Sequence, residues 1–586
     1  MRILKSLIIF VVGITTITNS YVQAAHPDQS DSNTADYVIV GVGTSGAVLA
    51  KELTDDKKTS VIALHQGKNL TNKPLIKYSK NRVFTVLAAL LGTPLPFDPN
   101  TLNLPQSVID ELNSFLATLP SSTAPLYISG TTVPQTFADD QQILWVEALP
   151  EGGASSINAG AWCIGTKQVY SQWEAIDGPE WSVHRIYKTY RQLQHYHGKT
   201  LHPHTKGYKG PISVQQDPLP TTASKKFTKA IIKATGFPYV LDYNDPNTPI
   251  GASSRFQFTQ RGHDGKFRVS SATAFLDKNV IKPNGTGVHG RKLKIHFEST
   301  ALKTIWNGTT AIGVEYQQNG QNKLAFARKG VIVCAGLMSS PFLLQSGVGP
   351  NSLLNSLGIP VIFDNPNVGQ GLADQTQLAL FFSTNPKDKI RNKYNALFSQ
   401  IAWLPAPGAD PTVRELRFST VNLIPGLTLA LLDLIQPKSR GSVSINSSNP
   451  LAPPVIDFGV LSNPDDLTLY QNALSIYIKA INQSLQQIDP LYQLVYPDPS
   501  ILDDPAALTA FIQASVASNQ SFQCHCRMAP INQGGVVDST GHVYGVQNLI
   551  IADNSIVPIP MDGSAMQTAF MIGANIARQI KEAEAH

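Results

Sequence analysis

The sequence predicts an α/β fold in which a parallel, doubly wound unit, discontinuous in the chain, joins an α+β unit built on an antiparallel sheet. Three observations predict it. An apolar run, a glycine-rich turn and an amphipathic helix follow one another over 36–53. The same style returns near the C-terminus, where Val546–Asp553 precedes a closing helix at Thr568–Ala583, so the two ends are expected to pack together. Between them, Thr376–Tyr496 alternates short apolar runs with proline-rich turns, the pattern of an antiparallel sheet with helices on one face.

Composition bounds the function. A chain of 586 residues can bury two or more domain cores. Hydrophobic content of 42% and charged content of 15% describe a globular protein. The net charge of +5 is small for this length, and no basic run or aromatic–basic interleaving points to nucleic acid.

Met1–Ala24 reads as a secretory signal peptide. Arg2 and Lys5 give a positive start, Leu7–Ile14 an apolar core, and Val22 and Ala24 small residues for cleavage. An uncleaved anchor is the alternative, but the apolar stretch falls short of the roughly 20 residues a span needs. No other segment reads as a stable membrane span; Val83–Leu91 is apolar but short.

The opening unit is DYVIVGVGTSG, Asp36–Gly46. Tyr37–Val40 is a strand, Gly41-Val42-Gly43-Thr44-Ser45-Gly46 a tight turn, Ala47–Leu53 a helix and Val61–Leu64 a second strand. Gly41 permits the turn, Gly43 lets backbone approach a pyrophosphate, and Gly46 lets helix and strand pack closely. Thr44 and Ser45 open the helix, whose free N–H groups face the phosphates. This is a Rossmann-like dinucleotide site with one part missing. An acidic residue should hold the ribose about 20 residues on. Here Ala63-Leu64-His65-Gln66-Gly67 puts His65 in that place, and an imidazole cannot supply a bidentate carboxylate.

In Ile143–Ser171, Gly152-Gly153-Ala154-Ser155-Ser156 runs into Ile157-Asn158-Ala159-Gly160. Small residues let backbone lie flat on a planar ligand, with Ser155 and Asn158 offering hydrogen bonds; a plain Gly/Ser loop is the alternative. Helices are expected over Val183–Tyr196, Ala223–Thr235 and Pro505–Ala517, and strands over Leu293–Phe297 and Leu302–Tyr316, the latter broken at Asn307-Gly308. Lys329–Cys334 is a buried strand that runs through Gly336 into a helix begun near Pro341, repeating the ligand-facing geometry of the opening unit. Of four cysteines, Cys163 and Cys334 sit in apolar runs as buried thiols; Cys524-His525-Cys526 is too tight for a usual metal site, so no metal is expected.

Together these stretches resemble the glucose–methanol–choline (GMC) family of FAD-dependent oxidoreductases, over Asp36 to about Lys581. DYVIVGVGTSGAVLAKEL is similar to its dinucleotide motif, EGGASSINAGAW to its first signature, CAGLMSSPFLLQSGVGP to its second, NVGQGLAD to its NVGxxLxDH segment and GGVVDSTGHVYGVQNLIIADNSIVP to its C-terminal flavin-binding stretch. The resemblance implies a discontinuous FAD-binding domain over 36–200, 290–375 and 530–586, and a substrate-binding domain over 201–289 and 376–529. It implies bound FAD, an alcohol or sugar donor oxidised at CH–OH, and oxygen or a quinone as electron acceptor. Gly41, Gly43 and Gly46 would hold the pyrophosphate; Gly153, Ser155 and Asn158 would lie near the flavin; the backbone of Leu302 would meet the adenine; and Asp553 would contact the pyrophosphate–ribityl region.

The departures fall on the chemistry. The family's base is the histidine of a segment like HPVGTCRM, and aligning Cys526-Arg527-Met528 puts Ser521 there. The second catalytic position falls on Ser564. A serine hydroxyl is no base near neutral pH without activation. His525 is the nearest substitute, either swung over the flavin by a loop shift or hydrogen-bonded locally. Gln375 stands where a histidine usually follows Asp374. The expectation is a secreted FAD-dependent oxidoreductase, extracellular or periplasmic; a catalytically degenerate flavin-binding or structural homologue is the alternative.

Overall fold

The computed structural model describes residues 33–81, 104–117, 126–262, 265–389 and 398–585. The expected leader and the run Val83–Leu91 lie outside the described residues.

In Thr34–Val40 the run Tyr37–Val40 is apolar and buried on both faces, as a central parallel strand must be. It pairs in parallel with Val61–Leu64 on one side and with Gln321–Val333 on the other. Leu293–His296 extends the sheet beyond Val61–Leu64, and Leu549–Ile551 pairs with Val331–Val333. The C-terminal stretch thus closes a sheet begun by the N-terminal one. A hairpin, Ser299–Asn307 and Thr310–Gln318, continues the first half of Gln321–Val333 in antiparallel fashion; its turn falls at Asn307-Gly308. The last helix, Ala565–Ala585, packs on the glycine-turn helix Thr44–Leu53. Gly573 makes that approach possible, because a Cβ there would fall 2.7 Å from the Ser45 carbonyl oxygen.

The second sheet is antiparallel throughout, in the order Gln493–Tyr496, Thr376–Ser383, Leu427–Leu434, Leu416–Ile424, Phe398–Leu404, Gly251–Ser253. Alternation divides its faces. Leu378, Leu432, Phe418 and Ala402 share one cross-strand row and belong to the apolar core that includes residues of Thr222–Thr235 and Lys479–Ile488. The opposite face carries the row Trp403, Arg417, Asp433.

The segment 201–289, expected to belong to one domain, is divided between two cores. Ile212, Val214, Val269, Phe275 and Leu276 pack with the parallel sheet, while Phe227, Ala230, Ile231 and Ala252 pack with the antiparallel one. The reason is local. Ser271 is hydrogen-bonded to the glycine turn, and Phe275 packs on Phe570 of the last helix. The helix expected over Val183–Tyr196 ends at Leu193, and Gln194–His197 enters a separate four-stranded sheet.

Candidate functional site

The three glycines of the opening turn have separable reasons. Gly41 has φ +93°, and a Cβ there would fall 2.5 Å from the Cys334 carbonyl oxygen. A Cβ on Gly46 would fall 2.0 Å from the Gly41 carbonyl oxygen. Both are demanded by the protein's own packing. Gly43 is different: a Cβ there meets nothing closer than 3.9 Å. The protein leaves space at Gly43, where a ligand's phosphates would approach. Gly43 is also the N-cap of Thr44–Leu53 and supplies no side-chain cap, so the first-turn N–H groups around Thr44 and Ser45 face that space. Gly153, with φ +54°, closes the far wall; a Cβ there would sit 2.8 Å from the Gly43 Cα.

At the adenosine end, His65 is buried at the end of its strand. Its Nδ1 accepts a hydrogen bond from Val42 N–H at 3.4 Å, and its ring meets Phe297 edge-on. Burial lowers its pKa to about 4, so it is a neutral imidazole turned into the fold. The Ser299–Asn307 strand begins beside it through Ser299 N–H to the His65 carbonyl, 2.9 Å. Leu302 lies at a bulge, where pairing passes from Ala301↔Tyr316 to Lys303↔Glu315, leaving its backbone outside the regular ladder.

The first-signature loop is a single turn, Gly153–Ser156. Ser155, expected to face a planar ligand, instead ties the fold together. Its hydroxyl donates to the Gly152 carbonyl at 2.6 Å and accepts from Ser271 N–H at 2.9 Å. Asn158 stays at the surface of the cleft. Its Oδ1 accepts from Gly160 N–H at 2.9 Å, and its amide reaches the Met566 sulfur of the last helix. Beneath the loop, the Arg268 guanidinium donates to the Asn158 carbonyl.

Asp553 is buried and fully engaged by the protein. Gly336 N–H (2.9 Å) and Ser339 Oγ (2.6 Å) donate to one carboxylate oxygen; Ser555 N–H (2.9 Å) and Oγ (2.6 Å) donate to the other. Leu337 N–H donates to Glu147 Oε1 at 3.0 Å. These contacts correct the expectation of a second ligand-facing turn at Gly336. Two N–H groups that would greet an anion are already taken by carboxylates, and the helix after them, Ser339–Gln345, is too short for a strong dipole.

His525 is not a base over the cleft. It is fully buried, its Nδ1 lies 2.6 Å from Ser340 Oγ, and burial drives its pKa down to about 3. The cause is the register of the Cys524–Met528 segment, which hydrogen-bonds along Asn554–Ile556 through Cys526 and Met528 N–H. That pairing turns His525 toward the Ser339–Gln345 helix. Ser521 lies just upstream, with its N–H donating to Asp374 Oδ1 at 2.7 Å. Burial raises the Asp374 pKa to about 7. Ser564 stands at the start of the last helix, with its N–H on the Cys163 carbonyl at 2.9 Å.

Gln375 joins the two serine-bearing segments. Its amide donates to the Gly563 carbonyl at 2.8 Å, and its backbone carbonyl accepts from Asn519 N–H at 2.8 Å. Both segments therefore converge beside the Asn158 loop, which Met566 and Cys163 link to the same helix start. Sequence reasoning missed one participant. Arg417, from the antiparallel sheet, directs Nη1 at Ser564 Oγ, 3.4 Å away, while its Nε bonds to Asp433 Oδ2 at 2.9 Å. Arg417 and Asp433 lie inside two different β-strands and carry no motif; only the cross-strand register Arg417↔Asp433 reveals the pair.

All four cysteines are buried and free. Among the described residues no group of three or more His, Cys, Asp or Glu is placed to hold a metal, and no helix is long and apolar enough to cross a membrane.

A strand–glycine turn–helix cradle closed by the C-terminus, facing a second domain with an antiparallel sheet, defines a dinucleotide-dependent redox fold. The comparisons agree. Family models for the N- and C-terminal parts of the GMC oxidoreductases match residues 35–377 and 437–573. The chain belongs to the GMC oxidoreductase family, and FAD is its cofactor. It is 28% identical to an uncharacterised GMC-type oxidoreductase of Mycobacterium bovis, covering 93% of this chain and 99% of that one. It is 27% identical to an alcohol dehydrogenase [acceptor] of Pseudomonas putida, covering 93% and 95%. Among solved structures, formate oxidase superposes with a TM-score of 0.76 at 20% identity, covering 95% of this chain and 99% of that one. Pyridoxine 4-oxidase from Mesorbium loti gives 0.74 at 20%, covering 94% and 99%. The cradle fits the cofactor: the open space at Gly43 and the uncapped helix start beside it leave backbone N–H groups free for a pyrophosphate.

Proposed function

We propose that this protein is an exported FAD-dependent oxidoreductase that oxidises the CH–OH group of a small alcohol or sugar donor. The convergence of the Ser521 and Ser564 segments on Gln375, beside the Asn158 loop, carries this reading, because it builds a polar station where a donor would meet the flavin. Bound FAD supplies the hydride acceptor. Gly41, Gly43, Gly46 and the start of Thr44–Leu53 would hold its pyrophosphate, Gly153 and Asn158 would border the flavin, and Leu302 would offer backbone to the adenine. The hydroxyls of Ser521 and Ser564 orient the donor's hydroxyl; neither is a base near neutral pH, so the hydroxyl proton passes to solvent water as the hydride leaves for the flavin. Without a positioned imidazole, turnover is expected to be about 10²–10⁴-fold below that of a relative that has one. Electrons then leave to oxygen or a quinone. Export rests on the leader pattern at Met1–Ala24 and is tested by N-terminal sequencing of the protein recovered outside the cytoplasm.

The test is anaerobic reduction. Purified protein loaded with FAD should lose its visible flavin absorbance on addition of a panel of alcohols and sugars. A second reading, a flavin-binding homologue without turnover, is favoured by the two serines. It predicts a flavin spectrum that no donor bleaches.

A further inference from the structure

Arg417 and Arg414 are two buried guanidiniums held in different ways. Arg414 shows how this fold satisfies a structural guanidinium: Nε donates to the Pro249 carbonyl, Nη1 to Ile164 and Nη2 to Tyr243, at 2.6, 3.0 and 2.9 Å, with the plane stacked over Trp403. Arg417 is also buried, with its guanidinium 5.8 Å from the Trp403 ring centroid, but its polar edge is used differently. Asp433 holds it through Nε alone. Nη1 has only the long contact to Ser564 Oγ, and Nη2 makes no hydrogen bond among the described residues. The outer edge of the fork is thus presented at the second catalytic position of the family, unmatched by any acceptor of its own strength.

The surroundings favour an anion. Burial opposes the guanidinium's charge, and Asp433 more than offsets it, so the group stays charged. On the same face of the sheet, Trp403 Nε1 and Ser419 Oγ are buried without a hydrogen-bond partner among the described residues. Both can donate. A planar fork with one edge anchored by a buried carboxylate and the other edge free matches a second carboxylate in geometry and charge. The buried carboxylate of Asp562, just before the last helix, is held by Thr166 through N–H at 2.8 Å and Oγ at 2.5 Å and interacts with Arg414.

We infer that the Arg417 guanidinium, oriented by Asp433 and directed at Ser564, binds the carboxylate of the donor, so that the substrates are hydroxycarboxylic acids rather than neutral alcohols or sugars. The inference rests on the proposed oxidation of a CH–OH donor and narrows it. A carboxylate seated on the outer edge takes the place of the weak Ser564 contact and fixes the donor at two points, its anion on Arg417 and its hydroxyl among the serines.

The experiment is calorimetric titration of the FAD-loaded protein with propionate, which has no oxidisable hydroxyl, and with the neutral isostere propionamide. Propionate is expected to bind at least about tenfold more tightly. Arg417→Lys keeps the charge but loses the fork, and should weaken propionate binding about tenfold or more, with flavin content and melting temperature close to wild type. Because removing one member of a buried pair can unfold a protein, Arg417→Met combined with Asp433→Leu removes both charges together. That double variant should bind the acid no better than the amide. In parallel, lactate should bleach the flavin faster than 1,2-propanediol under anaerobic conditions. Equal binding of acid and amide by the wild type, undiminished propionate binding by Arg417→Lys, or bleaching by the diol as fast as by lactate would each overturn the inference. A chain that takes up no FAD would end the oxidoreductase proposal, while the same titration on that protein would still decide for or against Arg417 as a carboxylate site.

Discussion

Gly43→Ala separates what the protein needs at its opening turn from what the cofactor needs. The φ of Gly43 is −78°, on the side that ordinary residues occupy, and an added methyl would come no closer than 3.9 Å to any protein atom. The apoprotein should tolerate it. Removing a glycine's freedom from the unfolded chain is worth about 0.4–1 kcal/mol where the native backbone accepts the change. The melting temperature of the apoprotein is therefore expected to hold or rise slightly. The cofactor should not tolerate it. A methyl pointing into the phosphate space displaces the pyrophosphate from the helix start and costs one charge-assisted hydrogen bond or more, about 1.5–3 kcal/mol each. That corresponds to roughly a 10- to 150-fold weaker FAD complex. Titration of apoprotein with FAD, followed by flavin fluorescence, and a thermal melt without FAD read the two effects separately. An FAD affinity within twofold of wild type, on a normally folded variant, would refute the assignment of this space to the phosphates.

Gly46→Ala should fail in the opposite way, because its methyl would fall 2.0 Å from the Gly41 carbonyl oxygen and backbone would have to move; a loss of at least about 1–3 kcal/mol in apoprotein stability by denaturant titration is expected. His525→Ala should leave the rate of flavin reduction within about twofold while costing about 1–3 kcal/mol of stability, since Ser340 loses a buried partner; a large fall in the reduction rate would restore His525 as a base. Ser521→His should speed anaerobic reduction by about 10² or more if the family's base position is intact in this chain. Glu151 is buried, with Oε1 unpartnered, and burial raises its pKa to about 8. A carboxyl whose pKa is raised on folding contributes full stability below its unfolded value and loses it as pH climbs toward the folded one, at about 1.4 kcal/mol per unit. Glu151→Gln should therefore raise the melting temperature at pH 8 and change it little at pH 4.5, and equal effects at both would refute the burial argument.

Much of the parallel domain was legible because its elements carry local signals. Short, largely apolar runs mark the strands, one of them ending at the Gly41 turn, and the Asn307-Gly308 turn marks the hairpin. What escaped depends on contacts distant in the chain. Nothing near Ser155 announces that Ser271, 116 positions later, will donate its N–H to the Ser155 hydroxyl. The Gly336 turn reads like an anion site until Asp553 and Glu147 fill it. His525 could have faced either way, and only its pairing with the Asn554–Ile556 segment decides that it faces Ser340. The Arg417–Asp433 pair is legible only after the strand register is known, because a one-residue slip would send both side chains to the other face. Motifs thus located the glycine cradle, whose geometry is set largely by backbone. They located the donor site less well, because it is assembled from side chains of both domains.

The central claim is that the intact cradle serves a working redox site despite serines at both catalytic positions. Anaerobic stopped-flow reduction of the FAD-loaded protein by hydroxy acids and alcohols tests it most directly. One flavin per chain and a slow, donor-dependent bleaching of its visible absorbance are expected. A chain that retains no flavin, or a bound flavin that no donor bleaches, would contradict it.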